Sequence, residues 1–538
     1  MSARAAAPPA VQTADGRVAG IVRNGVESFK GIPFAAPPIG ALRWRAPRPV
    51  APWKGVLLAT HYRPACMQHG MYPPDAAVEP VSENCLYLNI WKPVAARATA
   101  LPVMVWIYGG ALENGSAAVQ LYAGNKLARR GVIVVTANYR LGVFGFLALP
   151  ALTAESKHHS SGNYGLLDQL AALRWVERNI AAFGGDPRKV TLFGQSSGSI
   201  SISALTTSPL AKGLFQKAIG ESGGLFEPIE LFANLRLSGA ERQGLRFMAR
   251  AGARSLSALR SLPATRLLDV PFSPHITVDG YVVPRAPWES YAHHEANPVS
   301  LLIGWNADDG AVFLAHDRLT PRTYRRLLER SFPALIVRLL APSPGRSAAS
   351  AYTAAVSFST DMRFRWDMWR WATFARRDEL DPVYVYEFTR SPRFSIRSPY
   401  YHLGATHGVE MQYVFDHLGP GQGDWTAVDR DLAQVIPAYW TRFARTGNPN
   451  GPGLPSWPLF EVDRPQVMML GAQIHAAPMP DIAPLRSIGR VYSTARYAAS
   501  HWMLLASLAL IAIAAITATI VRANRIRATS LQRRPPPP

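Results

Sequence analysis

Cysteine is almost missing from this chain of 538 residues: Cys66 and Cys85 are the only two. They permit one disulfide around a short loop, or two free buried thiols, and nothing more elaborate. Lysine is scarce too, so the formal net charge of +21 rests almost entirely on arginine. So basic a chain invites a nucleic-acid partner. The arginines are scattered, however, with no dense block before the C-terminus. That pattern reads as a codon-composition bias better than as a nucleic-acid face, so no nucleic-acid partner is expected, and weak attraction to anionic membranes fits better. The opening stretch MSARAAAPPAVQTADGRVAG lacks the apolar core of a secretory signal. No internal repeat is visible.

What is present suffices for a large core. Hydrophobic residues make up 48% and charged residues 17%, an ordinary globular balance for one big α/β domain or two smaller ones. Val103 to Tyr108 and Val132 to Ala137 are continuous apolar runs ending in turn residues, as strands buried on both faces require. Ser300 to Gly304 and Val383 to Phe388 read as further strands. Tyr164 to Phe183 repeats apolar residues at helical spacing, and Leu432 to Arg445 is amphipathic up to TGNPNGPG. Gly31 to Pro47 suits a packed surface loop, and 230–290 and 320–380 read mainly as helices above the sheet. Strands alternating with helices predict a doubly wound, mostly parallel α/β sheet.

FGGDPRKVTLFGQSSG, from Phe183 to Gly198, organises the rest. Lys189 to Phe193 is a short strand, Gly194-Gln195-Ser196-Ser197-Gly198 a tight turn, and Ser199 to Thr207 a small-residue helix. Strand, G-x-S-x-G turn and helix form the nucleophile elbow of serine hydrolases, which lifts the Ser196 hydroxyl clear of the sheet. Such a nucleophile needs a base, an acid behind the base, and donors for an oxyanion. In the chain order Ser, acid, His, Asp309 of GWNADDGAVF is the candidate acid and His407 of THGVEMQYVF the candidate base. Tyr108-Gly109-Gly110-Ala111 follows a strand ahead of the elbow, where the oxyanion loop belongs; the N–H of Ser197 would complete it. Each has a plainer reading, as a surface histidine, an Asp-Gly turn or a glycine turn.

These blocks together resemble the type-B carboxylesterases, the family that includes the cholinesterases. FGGDPRKVTLFGQSSG is similar to its serine signature and SENCLYLNIW to its second signature. GIPFAAPPIGALRW, NYRLGVFGFL, GNYGLLDQLAALRWV, GWNADDG, HGVEMQYVF and YWTRFARTGNPN resemble its recurring blocks, in its order. The match covers residues 18–465 or thereabouts. It implies an α/β-hydrolase fold, catalytic Ser196, Asp309 and His407, and an oxyanion hole of Gly110, Ala111 and Ser197. It also implies a Cys66–Cys85 disulfide at the gorge rim, an ester substrate, and no metal or organic cofactor.

Three departures from that pattern bear on substrate. Asp309 stands where the family usually has Glu, Ala111 replaces the third glycine, and Gln195 replaces a frequent Glu beside the nucleophile. The Cys66 to Cys85 loop carries Tyr72 and no tryptophan. Without that ring or an adjacent carboxylate, a quaternary ammonium ester loses its attraction, so a neutral ester of small or medium size is expected, with Gln195 in the substrate pocket. The alternatives are amide or carbamate hydrolysis and a non-catalytic adhesion or binding protein on the same fold.

Trp502 to Val521 is twenty residues without a charge, long enough to span a bilayer as a helix. Arg522, Arg525, Arg527, Arg533 and Arg534 follow, which by the positive-inside tendency puts the tail in the cytoplasm and the large domain outside. The domain plan is then a disordered 1–18, a hydrolase domain 19–485, a linker 486–501, a transmembrane helix 502–521 and a basic, Pro-rich tail 522–538. A disulfide fits an oxidising compartment; the absent signal fits a tail-anchored cytosolic domain. A start codon assigned too far downstream reconciles the two, and is preferred.

Overall fold

The apolar runs become the middle of an eleven-stranded sheet in a computed structural model. The structure describes residues 8–70, 76, 80–94, 100–227, 235–314, 319–377, 381–419, 423–501 and 516–517. In chain order the strands are β1 (Ile21–Arg23), β2 (Val26–Pro33), β3 (Tyr87–Pro93), β4 (Leu101–Ile107), β5 (Ile133–Ala137) and β6 (Gly185–Gln195). There follow β7 (Lys217–Glu221), β8 (Ser300–Asn306), β9 (Val383–Phe388), β10 (Gln466–Leu470) and β11 (Ile474–Pro478). Their spatial order is β11-β10-β9-β8-β7-β6-β4-β5-β3-β2-β1. Neighbours from β10 through to β5 run parallel, and the pairs at both margins run antiparallel.

Burial follows this plan. β5, β7 and β9 are buried at every position, as strands covered on both faces must be. β1 and β11, at the edges, are largely exposed. Under the bend after β6, Trp106 meets Phe193 at 4.8 Å, Phe415 at 5.0 Å and Tyr122 at 5.2 Å between ring centroids. That aromatic cluster gives the central strands a rigid floor.

Helix α1 (Tyr164–Asn179) leads through a 3-10 turn (Ile180–Phe183) into β6, and α2 (Ser197–Leu205) leaves it. The stretch 230–290 contains α3 (Leu237–Arg250) and shorter helices at Leu256–Ser261, Ala264–Leu268 and Pro287–Ala292. Helices α4 (Ala348–Thr360) and α5 (Trp366–Arg377) are joined by a π-helical turn, Asp361–Arg365, a local widening that recurs at functional sites. Helix α6 spans Ala427–Thr446, starting earlier than its apolar spacing suggests. Its start is set by polar chemistry: Thr426 and Asp429 cap each other, and Gly447 at φ 76° ends the helix.

Two segments differ from the sequence reading. Ala10–Gln12 pairs antiparallel with Arg17–Ala19, so much of the segment expected to be disordered is a small hairpin; residues 1–7 lie outside the described residues. Residues 486–501, expected as a linker, belong mostly to helix α7 (Ile482–Ser500), because Leu485, Ile488 and Tyr492 recur at helical spacing and are buried. Among the described residues no helix is long and apolar enough to cross a membrane. The expected transmembrane run Trp502–Val521 therefore has no support from the structure, and apart from 516–517 it lies outside the described residues.

Candidate active site

Between β6 and α2 a single residue makes the bend. Ser196 has φ 55° and ψ −127°, a conformation costly for a residue with a side chain. It is held by donating its N–H to Glu221 O at 2.8 Å and accepting from Ile200 N at 2.9 Å. The bend is also hemmed in. A Cβ on Gly194 would stand 2.5 Å from Ile107 O, and one on Gly198 would collide with the same carbonyl. Any larger residue at either position would push the elbow off the strand that leads to the Gly109-Gly110 loop.

That loop reverses sharply. Gly110, Ala111 and Leu112 have φ of 113°, 57° and 61° in succession, and the N–H groups of Glu113 and Asn114 donate back to Gly110 O at 3.0 and 3.1 Å. Leu112 N donates to Ser197 Oγ at 3.1 Å, tying the loop to the start of α2. Among the described residues no hydrogen bond engages the N–H of Gly110, Ala111 or Ser197. Free amide donors on one loop and at a helix N-terminus suit a developing negative charge.

Asp309 and His407 do meet: Nδ1 of the imidazole lies 2.8 Å from Oδ1 of the carboxylate. The acid is fully buried, and its other oxygen accepts from Ser222 Oγ and from Asn306 N, both at 2.8 Å. A carboxylate so supplied with donors keeps a fixed orientation. The two loops are stitched as well, by Asp308 N to Ala405 O at 3.1 Å, Ala405 N to Asp308 Oδ2 at 2.9 Å and Asn306 Nδ2 to Thr406 O at 2.8 Å. These ties draw the histidine loop onto the acid loop, which is how the shorter aspartate reaches the ring.

Donation from Nδ1 to the carboxylate puts the ring's lone pair on Nε2. Gln195 Nε2 lies 3.1 Å from His407 Nε2 and 3.5 Å from Nδ1, so the amide sits against the ring rather than in line with one lone pair. Phe364, from the π-helical turn, stacks on the imidazole at 4.3 Å and 18°. Among the described residues no hydrogen bond joins Ser196 Oγ to His407. Such contacts are often long without substrate and tighten when it binds.

Sequence reasoning did not single out Glu221 and Glu410. Glu221, at the end of β7, is fully buried; Trp440 Nε1 donates to it at 2.8 Å, yet burial pushes its carboxyl up to about 8. Glu410 is raised by burial first, then by the charges of Glu221 and Asp309, and accepts from Asn306 Nδ2. Burial pushes each of these carboxyls towards its protonated form. Glu410 was in view within HGVEMQYVF; for Glu221 the sequence offers no signal.

Cys66 and Cys85 are disulfide-bonded, with Cα atoms 5.0 Å apart. Gln68, two residues on, donates to Gly115 O at 2.9 Å and accepts from Gly115 N at 2.8 Å, clasping the end of the Gly110 loop. Tyr72 lies outside the described residues. Among the described residues no group of His, Cys, Asp and Glu is arranged to hold a metal ion.

Comparison with known proteins gives one answer throughout. A carboxylesterase family model matches residues 7–480. The chain is 37% identical to fumonisin B1 esterase of Sphingopyxis macrogoltabida, covering 88% of each chain. It is 36% identical to para-nitrobenzyl esterase of Bacillus subtilis (strain 168), covering 86% of this chain and 95% of the other. Among solved structures, a thermophilic PNB esterase superposes with a TM-score of 0.77 at 34% identity, over 89% of this chain and all of that one. The sheet and its helices are thus those of the α/β-hydrolase fold.

Proposed function

This chain belongs to the carboxylesterase family and is a carboxylic ester hydrolase, and we propose that it acts through an acyl-enzyme on Ser196. In this reading His407 takes the hydroxyl proton through Nε2 and later returns it to the leaving alcohol. Asp309 holds the imidazole in the tautomer that makes this possible. The N–H groups of Gly110, Ala111 and Ser197 receive the oxyanion, and water then frees the acid. The observation that carries the reading is the 2.8 Å contact of His407 with a buried carboxylate, alongside the strained bend at Ser196.

For the substrate the reading is a neutral carboxylic ester of small or medium size. Gln195, against the catalytic ring, is uncharged, and Ala111 is exposed with a methyl where relatives have none. Both features favour an acyl group without charge and of limited bulk. Residues 502–521 are read as a membrane tether on their length and lack of charge, and the disulfide as a sign that the enzyme works in an oxidising compartment.

The decisive experiment pairs Ser196→Ala with a serine-directed phosphonate. Turnover of an aryl ester should fall by about three orders of magnitude or more, and labelling should vanish. Labelling that persists in the variant places the nucleophile elsewhere. A panel of neutral esters graded by acyl length, with choline esters of equal acyl length, tests the substrate class; a tenfold advantage in kcat/KM for the choline esters would reject it.

A further inference from the structure

On the opposite side of the turn that carries Phe364 in sequence, helices α5 and α7 leave a groove of about 550 Å³ between them, lined by none of Ser196, Asp309 and His407. Arg370, Arg486, Arg490 and Arg496 line it, Trp366 and Trp369 form its floor, and among the described residues no carboxylate lines it. On α7 the arginines fall at 486, 490 and 496, one face of the helix, with Gly489 and Ser493 between them as gaps. Two of the four guanidinium groups stand against rings, Arg370 over Phe374 at 4.2 Å and Arg496 over Trp288 at 4.4 Å.

The floor supplies a second, independent sign. Trp366 is 2% exposed, and its indole Nε1 has no hydrogen-bond partner. That N–H lies beneath Gly489: a Cβ there would stand 3.6 Å from it. A buried donor without an acceptor, under an opening ringed by arginine, asks for an anion with several oxygens.

We infer that this groove binds the phosphate headgroup of an anionic glycerophospholipid. A free phosphate shares the chemistry, but the place in the chain favours the lipid. Helix α7 ends at Ser500, immediately before the uncharged run Trp502–Val521. Arginine and tryptophan beside such a run are the side chains suited to headgroup depth. The inference rests on the reading of 502–521 as a tether, which fails separately if alkaline carbonate strips the chain from membranes.

The test uses the full chain in a neutral detergent, with native mass spectrometry counting retained lipid. Phosphatidylglycerol and phosphatidylcholine of the same acyl chains are added in turn. Retention of phosphatidylglycerol over phosphatidylcholine is expected. R486Q/R490Q should cut that preference on the order of twentyfold, about fivefold per arginine. Gly489→Leu should abolish it by filling the space over Trp366, with the charge unchanged. Aryl-ester turnover in both variants should match the parent, since neither change touches the ester site, and serves as the check that they fold. Equal retention of the two lipids, a preference that survives both variants, or displacement by equimolar inorganic phosphate would each overturn the assignment.

Discussion

The phenyl ring of Phe364 lies over the imidazole of His407, centroids 4.3 Å apart and planes 18° from parallel. With Gln195 also against the ring and the Asp309 carboxylate at its back, the imidazole is left little freedom to turn.

The ring's contribution is measurable. Phe364→Ala should lower kcat about tenfold, the upper end of what an aromatic pair contributes, because water would reach the imidazole and its orientation would loosen. Phe364→Leu should lose less. Steady-state kinetics on a small aryl ester decide it: a change confined to KM would mean that Phe364 only lines the substrate's path.

Glu221 makes stability depend on pH in an unusual direction. Its carboxyl is raised from 4.5 to about 8 in the folded protein, so between those values the folded state keeps a proton that the unfolded chain releases. Its contribution is therefore full below pH 4.5 and declines as pH climbs towards 8. Glu221→Gln, close in shape and unable to ionise, should flatten that decline. Thermal unfolding at pH 5 and pH 8, with parent and variant side by side, is the measurement; an equal offset at both values would refute the assignment of that proton to Glu221.

Ala111 sits at φ 57°, where glycine carries no steric penalty. Ala111→Gly should keep the N–H in place and remove a methyl from the proposed oxyanion loop. We expect kcat/KM for esters with branched acyl groups to rise several-fold relative to acetate esters. An unchanged ratio would show that the methyl points away from the acyl group.

The disulfide closes a loop of sequence separation 19, and both cysteines are buried. Cys66→Ser with Cys85→Ser should cost about 3 kcal/mol, the chain-entropy value for a loop near this length. The Gln68–Gly115 clasp should loosen as well, so heat inactivation of the esterase should come earlier. Denaturant unfolding with and without reductant measures the first effect and residual activity after heating the second.

Much of this site can be read from the sequence, because the elbow concentrates its demands in five consecutive residues. Gly194 and Gly198 have no room for a side chain, Ser196 makes the bend, and the strand and helix on either side show their periods. Asp309 and His407 are legible only through their order in the chain and the resemblance, since 98 residues separate them and no local pattern pairs a turn aspartate with a loop histidine. Val26–Pro33 and Tyr87–Pro93 pair antiparallel within the main sheet, yet Glu27, Ser28 and Lys30 in the first and Asn89 in the second break the apolar run that would announce a strand. Glu221 is hidden for the opposite reason: a carboxylate at the end of a buried strand violates the composition such strands obey, and only tertiary neighbours such as Trp440 explain it.

The widened turn Asp361–Arg365 has one further consequence. Phe364 faces His407 from within it, and Trp366 follows directly after it with its ring against Tyr492 of α7, 4.9 Å away. Such a turn carries one residue more than an α-helix would, so losing Arg365 would restore uniform winding and change the angle between Phe364 and Trp366 by roughly 100°. Phe364 and Trp366 would then be unable to keep both partners at once. Loss of that one codon should thus lower activity while Ser196, Asp309 and His407 all remain present, a lesion that substitution scanning would never reveal.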